Sequence, residues 1–323
     1  MNPGCPDRDQ AGQRQGLALA LASAAAFGTN IVSAQIAGQA GLSGPLLVFY
    51  RVLLMLVLVG GAALLWRSSL VLRRGERQPV LLFGLMTAMV GIAYLSSVAF
   101  VPVSVAAVVF YTFPVLIVLA EPVLTPAPFR ADRLAVALAA FLGIALVVGP
   151  DLHGLDPRGL ALAMLASLSA TAQFFAAARC KETPTLPKLF WSHVVILPVT
   201  ALVLLATGGF LPPQTFLLAP IAVAITYGGY IVGFLFQILA LARVAPGPAG
   251  LAFCAEPVFA VIIAAIVLAE RLGPLQYAGC ALVIAAIATN VILEQTRRTV
   301  VPASIIPRPS GRGMIDPIDR TSD

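Results

Sequence analysis

Apolar residues gather along the chain into ten runs, and polar residues are confined to the stretches between them. The runs cover 16–36, 44–66, 79–99, 103–124, 134–150, 158–178, 188–207, 215–240, 248–268 and 275–293. A helix crossing the hydrocarbon needs about 20 mostly apolar residues. Barrel strands show alternating segments of about 10 residues, whereas these runs are continuous. The pattern predicts an all-α membrane protein with ten transmembrane helices. Two polar end pieces remain, an N-terminal tail at 1–14 and a C-terminal tail at 295–323. Pro302, Pro307, Pro309 and Pro317 among Arg, Ser and Asp predict disorder in the latter. Arg8 and Arg14 before the first run resemble the flank of a secretion signal. Against that reading, the run is too long, Asp7 and Asp9 dilute the basic charge, and the same segment recurs later.

The recurrence is an internal repeat. Gly16-Leu17-Ala18-Leu19-Ala20 returns as Gly159-Leu160-Ala161-Leu162-Ala163, an offset of 143. The same offset pairs Asn30 with Gln173, Leu46 with Leu189, Leu54 with Leu197, Ala99 with Ala242, Phe110 with Phe253 and Pro114 with Pro257. After a one-residue slip, Leu138 pairs with Leu282. The chain therefore reads as two five-helix units, 15–150 and 157–293. Two homologous units with an odd number of spans must insert in opposite orientations. Lys and Arg test this, because they concentrate on the cytoplasmic side. With the N-terminus inside, 17 of the 20 Lys and Arg fall inside, Arg158 and Arg271 fall outside, and Arg51 lies within a span. Both termini are expected in the cytoplasm, on a multi-pass protein of the cytoplasmic (inner) membrane. Inverted repeats are a recurring build of secondary transporters, with the substrate site near the midplane between the halves.

Several local motifs carry a family resemblance. Phe110-Tyr111-Thr112-Phe113-Pro114 stands in the fourth run. Ala255-Glu256-Pro257-Val258-Phe259-Ala260, Leu268-Ala269-Glu270-Arg271-Leu272 and Gln276-Tyr277-Ala278-Gly279 follow in the second half. Phe27-Gly28-Thr29-Asn30 and Tyr50-Arg51 stand in the first two runs. Together these segments resemble EamA-type transporters of the drug/metabolite transporter superfamily, over about 14–293. The resemblance implies a ten-helix bundle that exports or takes up small organic solutes, often coupled to a proton or exchange gradient. The first half departs from the pattern: Ala127 stands where the second half has Glu270, and Glu121 lies six residues earlier.

Composition narrows the classes further. The 323 residues are 59% hydrophobic and 11% charged, with a mean hydropathy of +0.96. Soluble globular chains carry about 25% charged residues, so a soluble enzyme and a disordered chain are excluded. The net charge of +6 does not indicate nucleic-acid binding, because the basic residues are scattered through short loops.

Ionisable residues inside a span are expensive and are functional candidates by default. Four qualify. Arg51 lies in the outer half of the second run, Glu256 near the middle of the ninth, His193 in the seventh and Glu121 near the inner end of the fourth. Pro257 removes a helix hydrogen bond beside Glu256. A carbonyl freed next to a carboxyl suits a cation or a proton, which makes Glu256 the candidate coupling group. Alternatively, Glu256 is a structural carboxyl paired with Arg51 or a Tyr hydroxyl. Arg51 is always charged, and could hold a substrate carboxylate, neutralise Glu256 or snorkel to headgroups. His193 is either a titrating group or a hydrogen-bonded packing residue. Tyr227, Tyr230, Phe234 and Gln237 share a helix face. Thr87 and Tyr94 share another with Gly84 and Gly91. Such polar stripes face the bundle interior, as cavity lining or as interhelical glue. The expected substrate-binding set is Asn30, Arg51, Tyr94, Tyr111, Gln173, His193, Tyr230, Gln237 and Glu256, with helix breaks at Pro114 and Pro257.

No cofactor, metal or catalytic role is expected. The chain has no phosphate-binding G-x-x-x-x-G-K-[ST] loop and no H-E-x-x-H pattern. Cys5, Cys180, Cys254 and Cys280 have no paired spacing. Asp151, His153 and Asp156 could hold a metal weakly, but they suit a solvated linker with a helix-start carboxylate. Glu121 and Glu256 sit at unmatched depths, which argues against a carboxylate dyad. The expected partners are a small-molecule substrate, the lipid bilayer and protons as coupling ion, with a homodimer left open and no nucleic acid. The leading expectation is an alternating-access exporter of small organic metabolites such as amino acids. A lipid or headgroup flippase or enzyme, and a sensor without transport, are the alternatives.

Overall fold

The computed structural model describes residues 6–149, 155–210, 212–269 and 271–300. The regular structure among the described residues is all helical, with no strand. The first half comprises α1 (Pro6–Gln39), α2 (Gly44–Leu65), α3 (Arg77–Ser97), α4 (Val103–Phe110), α5 (Phe113–Leu124) and α6 (Ala131–Val148). The second comprises α7 (Pro157–Ala178), α8 (Thr185–Ala206), α9 (Pro220–Leu241), α10 (Pro246–Phe253), α11 (Ala255–Val267) and α12 (Pro274–Val300). Counting α4 with α5 and α10 with α11, ten spans are long and apolar enough to cross a membrane. Leu65, Val123 and Ile266 are at least three-quarters exposed on the rim. An apolar rim of that kind suits hydrocarbon rather than water.

The two interrupted spans stop at equivalent residues. α4 ends at Phe110, four residues before Pro114, and α10 ends at Phe253, four residues before Pro257. Proline offers no N–H to the carbonyl four residues back and its ring collides with that carbonyl. Each helix therefore ends on the residue whose carbonyl is left over, and restarts on Phe113 or Ala255.

The termini differ from the sequence expectation. α1 begins at Pro6, so the polar residues 6–14 extend the first helix. α12 continues to Val300, past the start of disorder expected at 295. Arg130 and Arg133 hold Glu294 six residues before that end. Residues 301–323, Glu270, and Asp151 and His153 lie outside the described residues.

Packing reveals the inversion. α1 lies along α9 and α3 along α7, a pair of contacts that the repeat interchanges. α2 packs on α8, and α6 on α12, so equivalent spans meet across the pseudo-two-fold. The buried Glu76 carboxylate, between α2 and α3, accepts the N–H groups of Glu182 at 2.8 Å and Thr183 at 2.7 Å, between α7 and α8. Trp191 Nε1 donates to the Leu70 carbonyl at 2.8 Å in the same place. The loop after the second span thus meets the loop after the sixth. Those loops share a face only if the halves are antiparallel.

α6 and α12 cross at glycine. A Cβ built at Gly279 would lie 2.6 Å from the Gly143 carbonyl oxygen and 2.7 Å from the Val147 nitrogen. Backbone on the opposing helix cannot yield as a side chain can. Gly279→Val is expected to cost about 1–3 kcal/mol, read as a lower melting temperature in detergent. Gly91→Ala, with nothing within 4 Å of its Cβ, should melt like the unaltered chain.

Candidate functional site

A cavity of about 270 Å³ opens between the halves. Gly44, Pro45, Val48, Arg51 and Val52 of α2 line it, with Thr87, Gly91 and Tyr94 of α3, Ile196, Val199 and Val203 of α8, and Tyr230 of α9. Gly44, Tyr94 and Val203 stand near helix ends on the face opposite the termini. Arg51 is seven residues into α2, about 10 Å down at 1.5 Å per residue. Tyr230 is at the centre of α9. The cavity therefore descends from that face to mid-depth.

Polar side chains converge on its floor. The Arg51 guanidinium lies over the Tyr230 ring, 4.3 Å from its centroid, and Nη1 donates to Asn30 Oδ1 at 3.1 Å. Arg51 is thus turned into the bundle and does not snorkel to the headgroups. Behind Tyr230 sits His193, which is fully buried. Its Nδ1 is 2.8 Å from the Leu189 carbonyl. A carbonyl only accepts, so Nδ1 carries the proton. The other nitrogen, Nε2, then accepts from the Tyr230 hydroxyl at 2.9 Å in neutral imidazole. This chain fixes the ring on which Arg51 rests.

The equivalent residues Asn30 and Gln173 both bridge the halves. Asn30 Nδ2 donates to the Thr226 carbonyl at 2.5 Å. Gln173 Nε2 donates to Thr87 Oγ1 at 2.8 Å, which in turn donates to the Phe83 carbonyl at 2.7 Å. Both serve as interhelical links behind the cavity wall. A second polar group lies at the helix breaks, where Glu256 at the start of α11 is near Tyr111, just past the end of α4, and Tyr94. Gly28 permits this packing, since a Cβ there would lie 3.0 Å from the Glu256 carbonyl oxygen.

The structure thus divides the nine candidate residues. Arg51, Tyr94 and Tyr230 line the cavity. Asn30, Gln173 and His193 stand behind its wall. Tyr111 and Glu256 form a neighbouring group reached through Tyr94. Gln237 is buried on α9 and is not in the wall. Among the described residues no ion pair joins Arg51 to Glu256 or to any carboxylate.

A second hollow, about 580 Å³, lies on the terminal face among the ends of α5, α7 and α9 and the start of α10. Arg179, Lys181 and Arg243 rim it, with Glu121 and Phe175. A row of aromatic rings runs from the first cavity into the bundle. Tyr94 meets Phe110 at 5.5 Å between centroids, Phe110 meets Phe113 at 5.4 Å, Phe113 meets Phe174 at 5.5 Å, and Phe174 meets Phe253 at 5.4 Å. The row begins at the first cavity and includes the last residue of both broken helices.

Beside the lower hollow lies an ionic cluster. Arg133 is paired with Glu121 and, at 2.5 Å, with Glu294. Arg130 bridges Glu294 and Asp132, each at 2.8 Å. Gln13 Nε2 donates to Glu294 at 3.1 Å. It ties α1, α5, α6 and α12 together on the face where both ends lie. The sequence signal for Glu294 is a carboxylate closing the last apolar run, at the face where Lys and Arg are in excess. In the loop after α7, burial pushes the Cys180 thiol up to about 12. Thiol reagents attack the thiolate, so Cys180 is expected to stay unmodified by maleimide at neutral pH in the folded protein and to react once it is denatured. Among the described residues no group of three His, Cys, Asp or Glu is placed to hold a metal.

A family model described as the EamA-like transporter family matches the chain twice, over residues 14–149 and 157–292. No curated protein matches it. A solved structure described only as "Crystal structure of protein" is similar at 22% identity, with a TM-score of 0.70, the match covering 88% of this chain and 99% of that one. At that identity the likeness speaks to the fold alone.

Proposed function

The chain belongs to the EamA-like transporter family, and on that premise we propose that it is a secondary transporter moving small organic metabolites by alternating access, with export as its direction. The observation that carries this reading is the pair of hollows on opposite faces, with a row of packed aromatic rings leading inward from the first. A substrate that enters one hollow can reach the other only if the packed side chains between them part. The row includes Phe110 and Phe253, where the two spans are already broken. Breaks at matched positions of inverted halves supply hinges, and exchanging the shapes of the halves converts one open state into the other. The excess of Lys and Arg on the terminal face supports placing that face in the cytoplasm of a cytoplasmic-membrane protein. The described state then has its Arg51 cavity open to the outside.

The test is flux into sealed proteoliposomes, with amino acids, monocarboxylic acids and related metabolites offered as counterflow pairs. Saturable, protein-dependent counterflow supports transport, and its absence across the panel contradicts it. Glu256, beside the break at Pro257, is proposed as the proton-coupling group. Glu256→Gln cannot exchange a proton, so its flux should lose the pH dependence of the unaltered protein. Full activity with an unchanged pH profile would remove Glu256 from the mechanism.

A further inference from the structure

Within that proposed transport cavity, we infer that the substrate is a small organic anion, a carboxylic acid with an apolar body, held by Arg51. The argument starts from an uncompensated charge. A guanidinium in a low-dielectric site needs a counter-charge or a full set of acceptors. Arg51 has one side-chain acceptor, Asn30 Oδ1, and the face of Tyr230. Its Nε is buried without a partner, and no carboxylate among the described residues pairs with it. The Tyr227 hydroxyl, one turn from Tyr230 and near enough to feel the Arg51 charge, is also buried without a partner. A carboxylate suits the guanidinium, which donates to it in a planar fork.

The rest of the cavity describes the rest of the molecule. Val48, Val52, Ile196, Val199 and Val203 form its walls, so the body is apolar. The lining contains no acidic residue that would hold an ammonium group. The lower hollow agrees independently: Arg179, Lys181 and Arg243 converge on its rim, and the one carboxylate there, Glu121, is already paired with Arg133. Both entrances thus favour negative charge, and a field of one sign raises the local concentration of an oppositely charged solute.

Four matched compounds test the inference: 3-phenylpropionate, 3-phenylpropanol, 2-phenylethylamine and phenylalanine. Binding is measured by calorimetry on the full chain in phosphatidylcholine nanodiscs. The acid should bind at least about tenfold tighter than the alcohol, and tighter than the amine or the amino acid. Arg51→Lys should weaken the acid about tenfold and leave the alcohol unchanged, since Lys keeps the charge and loses the fork. Equal binding of acid and alcohol, or tighter binding of the amine or phenylalanine, would overturn it without any variant, as would no binding of the acid at about 1 mM. Adding phosphatidylglycerol to the discs separates a soluble acid from a lipid headgroup. An unchanged acid affinity fits the inference, and displacement by the lipid overturns it. Acid binding without flux would leave this inference standing and sink the transport reading. Flux of phenylalanine without acid binding would do the reverse.

Discussion

Arg133→Met is expected to destabilise the protein by about 3–5 kcal/mol, the usual cost of stranding a buried charge. Arg133 is 6% exposed and stands between Glu121 and Glu294, which come from different halves of the chain. Without it, the two carboxylates face each other with no cation between them. Glu294 keeps Arg130 and Gln13, whereas Glu121 loses its ion-pair partner. That asymmetry makes a sharper prediction. Adding Glu121→Leu to Arg133→Met removes the stranded charge and should recover more than half of the loss. Thermal melting of both variants in the same detergent checks this. A double variant no more stable than the single one would show that the pair supports the fold in some other way.

Gly91→Trp is expected to reduce flux by at least about 100-fold, or roughly 2.7 kcal/mol in rate terms, with little change in melting temperature. Gly91 is exposed in the wall of the Arg51 cavity, with nothing within 4 Å of its Cβ position. An indole there fills space that a substrate must use and displaces no packed atom. Gly84, two turns lower on the same face of α3, supplies the contrast. Its Cβ would lie 2.8 Å from the Ser192 carbonyl oxygen, so Gly84→Trp should fail in folding. Undiminished flux through Gly91→Trp would show that solute takes another path.

Much of this architecture is legible in the residues. The ten spans follow from run length alone. The inversion follows from an odd number of spans per repeat and the placement of Lys and Arg. The helix breaks are half legible: Pro114 and Pro257 announce lost hydrogen bonds, but a proline can bend a span without ending a helix. The direction of Arg51 is not legible, because snorkelling and inward burial need the same sequence. Only Asn30, 21 residues earlier, and Tyr230, from the other half, decide between them. The ionic cluster is hidden for a similar reason. Gln13 and Glu294 are 281 positions apart, and no local pattern connects them. Gln237 shows the opposite failure, since a shared helix face with Tyr230 does not place it in the same cavity wall.

The most direct test of the antiparallel duplication is sidedness. Single cysteines at Arg74, Lys181 and Leu95, in a chain whose four native cysteines are replaced, would be labelled with a membrane-impermeant maleimide in intact cells and after permeabilisation. Arg74 and Lys181 are exposed in the two loops that Glu76 joins, and Leu95 lines the Arg51 cavity. Labelling of Leu95 in intact cells, with Arg74 and Lys181 both reached only after permeabilisation, is the predicted result. Arg74 and Lys181 reacting from opposite sides would contradict the inverted pair of halves.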